Sequence, residues 1–181
     1  MNFSIITPTF NRSKLVEDLL SSLFAERNRY EYGNIEVLII DSSNGIEKEK
    51  IHNSCIRFNA LYLEGPDSVR KKRNIGITSA KYENIIFLDS DVFVVEGFLN
   101  EYDKTYKCNI SNDKLGGILG YTEFIGEKNF WWKVLELTSL VDSFSFARKY
   151  PFHSWTIANN VSFKTDILKK MVCLKKISPL I

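Results

Sequence analysis

The sequence is short of histidine: of 181 residues only His52 and His153 are present, and neither has ligand partners at a recognisable spacing, which argues against a zinc site. Cysteine is also scarce. Cys55, Cys108 and Cys173 form no CxxC pair and leave an odd thiol under any pairing, the pattern of free thiols in a reducing compartment. There is no GxGxxG and no GxxxxGK[ST], so neither glycine-cradle nucleotide fold is supported, and the absence of GxSxG removes the usual serine-hydrolase signal. Net charge is nearly absent. Lys and Arg number 24 against 22 Asp and Glu, a balance of +2, too small to argue for a nucleic-acid groove or for adhesion to an anionic bilayer. No apolar run reaches the ~18 residues that span a membrane. The opening MNFSIITPTFNR lacks the charge, apolar run and cleavage site of a signal peptide. The expectation is a soluble, cytoplasmic protein without a nucleic-acid partner or a transmembrane segment.

What is present is a core. Hydrophobic residues make up 44% and aromatics 13%, enough for one domain over 1–181. Apolar runs at 3–7 (FSIIT, closed by Pro8), 35–41 (IEVLIID) and 84–89 (NIIFLD) read as buried strands, and 60–64 (ALYLE) is a further strand candidate. Between them lie helical stretches: one after Ser13, a candidate cap, with Leu15, Leu19, Leu20, Leu23 and Phe24 at helical spacing; one from about Ile46 to Phe58; and one from about Val69 to Ala80, capped by Asp67 or Ser68. Four strands alternate with three helices over about 90 residues, the mark of an α/β fold with a Rossmann-like, mostly parallel sheet flanked by helices. The second half is less regular. Residues 116–126 look strand-like, 129–148 helical, and 159–168 a strand or turn entering a helix near Thr165. Trp131 and Trp132 read as core residues of the 129–148 helix, with an acceptor groove or membrane-surface contact as the other reading.

Ligands of parallel sheets bind beyond the carboxyl ends of the strands. Three polar clusters fall there: Thr7 to Arg12, Asp41 to Asn44, and Asp89-Ser90-Asp91. Two carboxylates about 4 Å apart repel by about 4 kcal/mol at an effective dielectric of about 20. Mn²⁺ or Mg²⁺, which takes carboxylates together with phosphate oxygens, relieves that repulsion; a solvated turn is the plain alternative. Asp41 either accepts from a nucleobase or ribose or caps the turn at 42–45. The run Arg70-Lys71-Lys72-Arg73, followed by Asn74, either meets phosphate with one helical face or is a solvated face.

Taken in order, FSIITPTFNR, EVLIIDSSN, RKKRNIGI, FLDSDV and ANNVSFKTDIL resemble the family 2 glycosyltransferases, whose nucleotide-sugar-binding fold is GT-A. The resemblance runs from residue 2 to about 171. It implies that Pro8, Thr9, Asn11, Arg12 and Asp41 hold the nucleoside. Arg73, Asn74, Asp89 and Ser90 lie at the nucleotide and its phosphates, and Asp89 and Asp91 coordinate Mn²⁺ or Mg²⁺. Trp155, Asn159 and Asn160 line the donor-sugar and acceptor side. The resemblance further implies a nucleotide-binding half at 1–95 and an acceptor-side half at 96–181. The donor is a nucleotide sugar, with a UDP-sugar favoured, and the acceptor a glycan or lipid-linked species, transferred to with inversion. The setting would be polysaccharide biosynthesis, with room for peripheral contact at the inner face of a membrane.

In the family the base that deprotonates the acceptor lies beyond the segment matching ANNVSFKTDIL. Here no carboxylate follows Asp166, and Cys173 to Ile181 do not read as the end of a well-formed domain. The expectation is therefore a C-terminally shortened chain, from truncation or frameshift, that binds nucleotide and metal without its base. Glu123 and Asp142 are the stand-ins. Two other readings remain: a non-catalytic nucleotide-sugar-binding module, and a haloacid-dehalogenase-like phosphohydrolase, in which the first Asp of the DxD would be the nucleophile.

Overall fold

The computed structural model describes residues 1–112, 115–123, 125, 130–137 and 158–177. The chain order is β1 (Phe3–Thr9), α1 (Ser13–Arg29), β2 (Ile35–Asp41), α2 (Gly45–Arg57), β3 (Leu61–Glu64), α3 (Val69–Ser79), β4 (Asn84–Leu88), α4 (Phe98–Cys108), β5 (Gly117–Leu119), α5 (Phe130–Leu137), β6 (Asn160–Lys164) and α6 (Thr165–Ile177). The six strands form one sheet in the order β3-β2-β1-β4-β6-β5. β3, β2, β1 and β4 are mutually parallel, and β6 runs antiparallel to both β4 and β5.

The apolar runs of β1, β2 and β4 are continuous because both faces of these strands are covered, whereas the edge strand β3 is half-buried to exposed. Phe3, Ile5, Val37, Ile39, Ile86 and Leu88 face a core built with α1, α2 and α4, while Ile6, Leu38, Ile40, Ile85 and Phe87 face the other core, under α3 and α6. Successive residues divide between the two cores, as strand pleating requires. Cys55 lies in the first core, where burial pushes its thiol up to about 12 and makes it a packing residue.

Several expectations need correcting. Pro8 does not close β1. The strand runs through it to Thr9 along β2, while the ladder to β4 ends at Ile6↔Phe87. Beyond Ile6 only one side of β1 is paired, so a residue without an N–H is tolerated there. Ser13 does not cap α1. Glu47 of α2 does so, accepting from Ser13 N (3.0 Å) and Ser13 Oγ (3.1 Å). Those bonds, the backbone one first, hold the Glu47 carboxyl below its ordinary range. Ser68 does cap α3, accepting from Lys71 N.

Helix α4 was not anticipated, although Leu99, Tyr102, Asp103 and Tyr106 form its buried stripe at regular helical spacing. Of the strand-like 116–126, the described residues keep only Gly117–Leu119 as strand. Trp131 is exposed, edge-on to Phe130 at 5.6 Å, so it is not a core residue. Within the expected 129–148 helix, residues 130–137 are described and helical, and Asp142 lies outside the described residues.

Two contacts set the helices that frame the site. Glu26 of α1 is 2% exposed and accepts from Gly97 N (3.1 Å) and Leu99 N (3.0 Å), which satisfies the first amides of α4. Gly76 lets α3 lie against β1, since a Cβ there would meet Ile6 Cγ2 at 2.4 Å. Glu26→Ala leaves the buried Leu99 amide and the half-buried Gly97 amide unpaired and is expected to cost about 2–4 kcal/mol, lowering Tm by roughly 5–15 °C in thermal unfolding. Gly76→Ala is expected to cost about 1–3 kcal/mol by overpacking, with a Tm drop of roughly 3–10 °C in the same measurement.

Candidate functional site

The chain reverses direction across the sheet after β3: it has built outward from β1 through β2 and β3, then returns through α3 to place β4 on the other side of β1. The crevice at the carboxyl ends of β1 and β4 is where such a fold opens for a ligand. All three polar clusters meet at this edge.

The loop after β1 is tied to the loop after β2. Asn11 is left-handed (φ 51°), a conformation that Asn tolerates better than most residues. Its N–H donates to Ser43 Oγ (2.7 Å), and Ser43 donates in turn to Asp41 Oδ1 from Oγ (2.6 Å) and from N (2.9 Å). Tyr62 OH donates to Asp41 Oδ2 (3.0 Å), and burial together with the Asp41 charge pushes the phenol up. Asp41 is only 1% exposed, and both its oxygens serve the turn and Tyr62. The turn-capping alternative is therefore the contact present. Pro8 and Thr9 are buried behind this loop, while Asn11 and Arg12 are exposed at its rim.

The basic run on α3 divides. Arg70 and Lys71 are exposed, Arg73 and Asn74 are half-buried, and Lys72 is buried. The Arg73 Nη2 donates to Asp89 Oδ1 (2.9 Å) and to the carbonyl of Ala158 (2.8 Å), and its guanidinium lies 5.8 Å from the Phe87 ring centre. Arg12 Nη1 meets Asp91 Oδ2 at 3.0 Å across the mouth of the crevice. The two carboxylates are thus separated in function, one held from inside by Arg73 and the other from the rim by Arg12. Burial pushes the Asp89 carboxyl up and Asp91 adds to this, against the opposing pull of Arg73. Ser90 is buried between them.

Residues 158–160 close the site from the second half. Asp89 N donates to the carbonyl of Asn159 (3.4 Å). Asn160 is committed to the framework: its Nδ2 donates to Tyr121 O (3.0 Å) and its Oδ1 accepts from Tyr102 OH (2.8 Å). Beside them lies a cleft of about 680 Å³ bordered by Asp89, Asp91, Phe93, Thr122, Glu123 and Asn159. Trp155 lies outside the described residues.

Five buried polar atoms at or near this edge have no partner among the described residues: Thr7 Oγ1, Thr9 Oγ1, Ser42 Oγ, Arg73 Nε and Thr122 Oγ1. Buried polar groups are normally satisfied, so these are free to serve a polar ligand. As a metal site, the donor set is two carboxylates. No group of three His, Cys, Asp or Glu stands together among the described residues, so Mg²⁺ or Mn²⁺, which keeps waters and takes phosphate oxygens, fits here better than zinc.

Sequence reasoning did not identify Ser43, Tyr62, Thr122 or Lys72 as site residues. A signal existed for Lys72, because it shares the buried stripe of α3 with Gly76 and Ile77. Ser43 and Tyr62 gave none, since they act through Asp41 at short range. The phosphohydrolase alternative places its DxD at the start of the fold, whereas here the motif follows β4.

The model of glycosyl transferase family 2 matches residues 4–106. A poly(ribitol-phosphate) beta-glucosyltransferase of Bacillus spizizenii is 28% identical over 176 residues, 94% of this chain and 26% of the relative. Among solved structures, Staphylococcus aureus TarS 1–349 in complex with UDP-GlcNAc superposes with a TM-score of 0.60 at 20% identity, over 94% of this chain and 47% of that one. The mannosyltransferase PcManGT from Pyrobaculum calidifontis, in complex with GDP-Man and Mn²⁺, gives 0.61 at 16% identity, over 93% and 46%. At these identities the structures show the fold, which is GT-A. The chain spans less than half the length of the relatives it matches. The family's model runs from β1 into α4, through each of the three strand-end clusters that converge on the crevice, and this chain belongs to glycosyl transferase family 2.

Proposed function

We propose that the chain binds a nucleoside diphosphate sugar, a UDP-sugar first, and serves as the donor side of an inverting sugar transfer to a glycan or lipid-linked acceptor. The observation that carries this reading is the arrangement of two arginines and two aspartates at the carboxyl edge of β1 and β4. Anionic and cationic groups alternate there at the mouth of a cleft, the charge pattern that a metal-bound diphosphate complements. The relative solved with UDP-GlcNAc and the neighbour solved with GDP-Man and Mn²⁺ support a nucleotide-sugar donor and a divalent cation.

In this reading residues 1–95 hold the nucleotide, with Asn11 and Arg12 at the rim and Pro8, Thr9 and Asp41 shaping the loops behind them. Arg73, Asn74, Asp89 and Ser90 face the diphosphate. Residues 96–181 form the sugar and acceptor side, through Trp155, Asn159 and Asn160. Asp89 and Asp91 would hold Mn²⁺ or Mg²⁺, which stabilises negative charge on a departing diphosphate. Arg73 already has its Nη2 engaged and offers Nε as a further donor. Arg12, half-exposed on Asp91, has room to exchange that carboxylate for a phosphate oxygen. Glu123 is the third carboxylate that lines the cleft. No helix among the described residues is long and apolar enough to cross a membrane, and the reading places the protein in the cytoplasm, with peripheral membrane contact where the acceptor is lipid-linked.

Calorimetric titration with UDP, with and without Mn²⁺, tests this. The parent is expected to bind UDP more tightly with the cation. Asp91→Asn is expected to lose about tenfold or more of that gain while Tm stays within a few degrees, since the Arg12 pair is surface-exposed. Unchanged Mn²⁺-dependent affinity in the variant would refute the site.

A further inference from the structure

Lys72 is the one buried member of the basic run Arg70 to Arg73, and it takes no part in the arginine–aspartate pairs at the crevice. It is 2% exposed, and lysine is almost never fully buried unless paired. Burial pushes its ammonium pKa down, against the pull of Asp41 and Asp67. Its stem has a place prepared for it. A Cβ on Gly65 would lie 3.1 Å from Lys72 Cγ and 2.7 Å from Ile40 Cγ2, so glycine after β3 leaves the room that the side chain fills. At the end of that stem Nζ donates to the carbonyl of Thr9 (2.6 Å) and lies 5.8 Å from the centre of the Phe10 ring.

The two contacts act on one short stretch. Thr9 is the last residue of β1, Phe10 is 45% exposed at the rim of the site, and Asn11 is left-handed and tied to Ser43. The stretch is thus held from below by Lys72 and from the side by Ser43. An ammonium beneath an aromatic ring also favours one ring placement over others. Because Lys72 is buried behind Thr9, it reaches a ligand through the loop and not by contact.

We propose that Lys72 is a positioning residue for the nucleoside end of the site: by clamping the Thr9 carbonyl beneath the Phe10 ring it sets the loop of residues 9–12 in the shape that receives the base. This rests on the nucleotide-binding reading above, and it deepens that reading by assigning the base-side geometry to a residue on α3. A lysine that only fills the core would affect stability and leave affinity for the nucleoside portion alone.

The test is calorimetric titration of the full chain with UMP and with UDP plus Mn²⁺, for the parent, Lys72→Met, Phe10→Ala and the double variant, with Tm measured without nucleotide. Lys72→Met is expected to weaken UMP and UDP alike, by about tenfold, because a charge-assisted hydrogen bond is lost on the nucleoside side and not at the diphosphate. The gain from Mn²⁺ is expected to persist. The double variant is expected to lose clearly less than the product of the single losses, since both residues act through one loop. Lys72→Arg, which keeps charge and donor, is expected to stay within about threefold of the parent. Where Met is not tolerated by the fold, Lys72→Gln serves the same comparison.

Parent-like UMP affinity in a folded Lys72→Met or Lys72→Gln overturns the proposal. So do independent, multiplying losses in the double variant, or a loss in Lys72→Arg as large as that in Lys72→Met. A parent chain that binds neither UMP nor UDP overturns the nucleotide reading itself, an outcome distinct from parent binding that is indifferent to position 72.

Discussion

A single nitrogen of Arg73 holds the Asp89 carboxylate and the Ala158 carbonyl, and through that pair of bonds the first half of the chain grips the second. β4 ends at Leu88, so without a cation beside it Asp89 would be a half-buried carboxylate at a strand end, repelled by Asp91 two residues on. Arg73 can stand there because Gly76, one turn later on α3, brings the helix against Ile6 of β1. The position of the charged pair therefore depends on an apolar contact about one helical turn away. The same guanidinium fixes residue 158, and Asp89 N reaches the carbonyl of Asn159, so the segment at 158–160 is registered against the carboxylates by backbone and not by chance packing.

A second principle runs through the framework: helix starts and strand ends are satisfied by charged side chains from neighbouring elements. Glu47 serves α1, Glu26 serves α4, and Lys72 serves the end of β1. Each is a long-range contact that joins two secondary structures, so the loops around the crevice are held by the same bonds that hold the helices. The atoms without partners among the described residues, among them Thr9 Oγ1, Ser42 Oγ, Arg73 Nε and Thr122 Oγ1, lie on or beside those loops, where a polar ligand could satisfy them.

The parallel half of the fold was legible because local and global signals agree there. Runs such as IEVLIID are apolar on both faces, and each ends in a polar cluster, so strand identity, sheet type and the site edge could be read together. The DxD and Arg73 were legible as charge types, but their pairing was not, because spacing cannot tell which arginine meets which aspartate. Lys72 was hidden inside a charge run that reads as solvated. Its burial follows from Gly76 and Ile77 on the same stripe, a signal outweighed by its charge. Glu47 displaced Ser13 as the cap of α1 because tertiary contact supplied a stronger acceptor than the local hydroxyl. α4 was missed because its stripe is built from tyrosines and an aspartate, which carry a weak apolar signal.

Under the proposed function one metal-bound nucleotide sits at the carboxyl edge between β1 and β4. Paramagnetic broadening by Mn²⁺ of amide resonances in the ¹⁵N-labelled chain, recorded with and without UDP, is the decisive measurement. Broadening is expected to centre on Asp89 to Asp91, to strengthen with UDP and then to extend to Asn11, Arg12, Arg73 and Asn159. Broadening centred on the opposite edge of the sheet, near Glu83 and Asp166, or a pattern spread over surface carboxylates and indifferent to UDP, would contradict it.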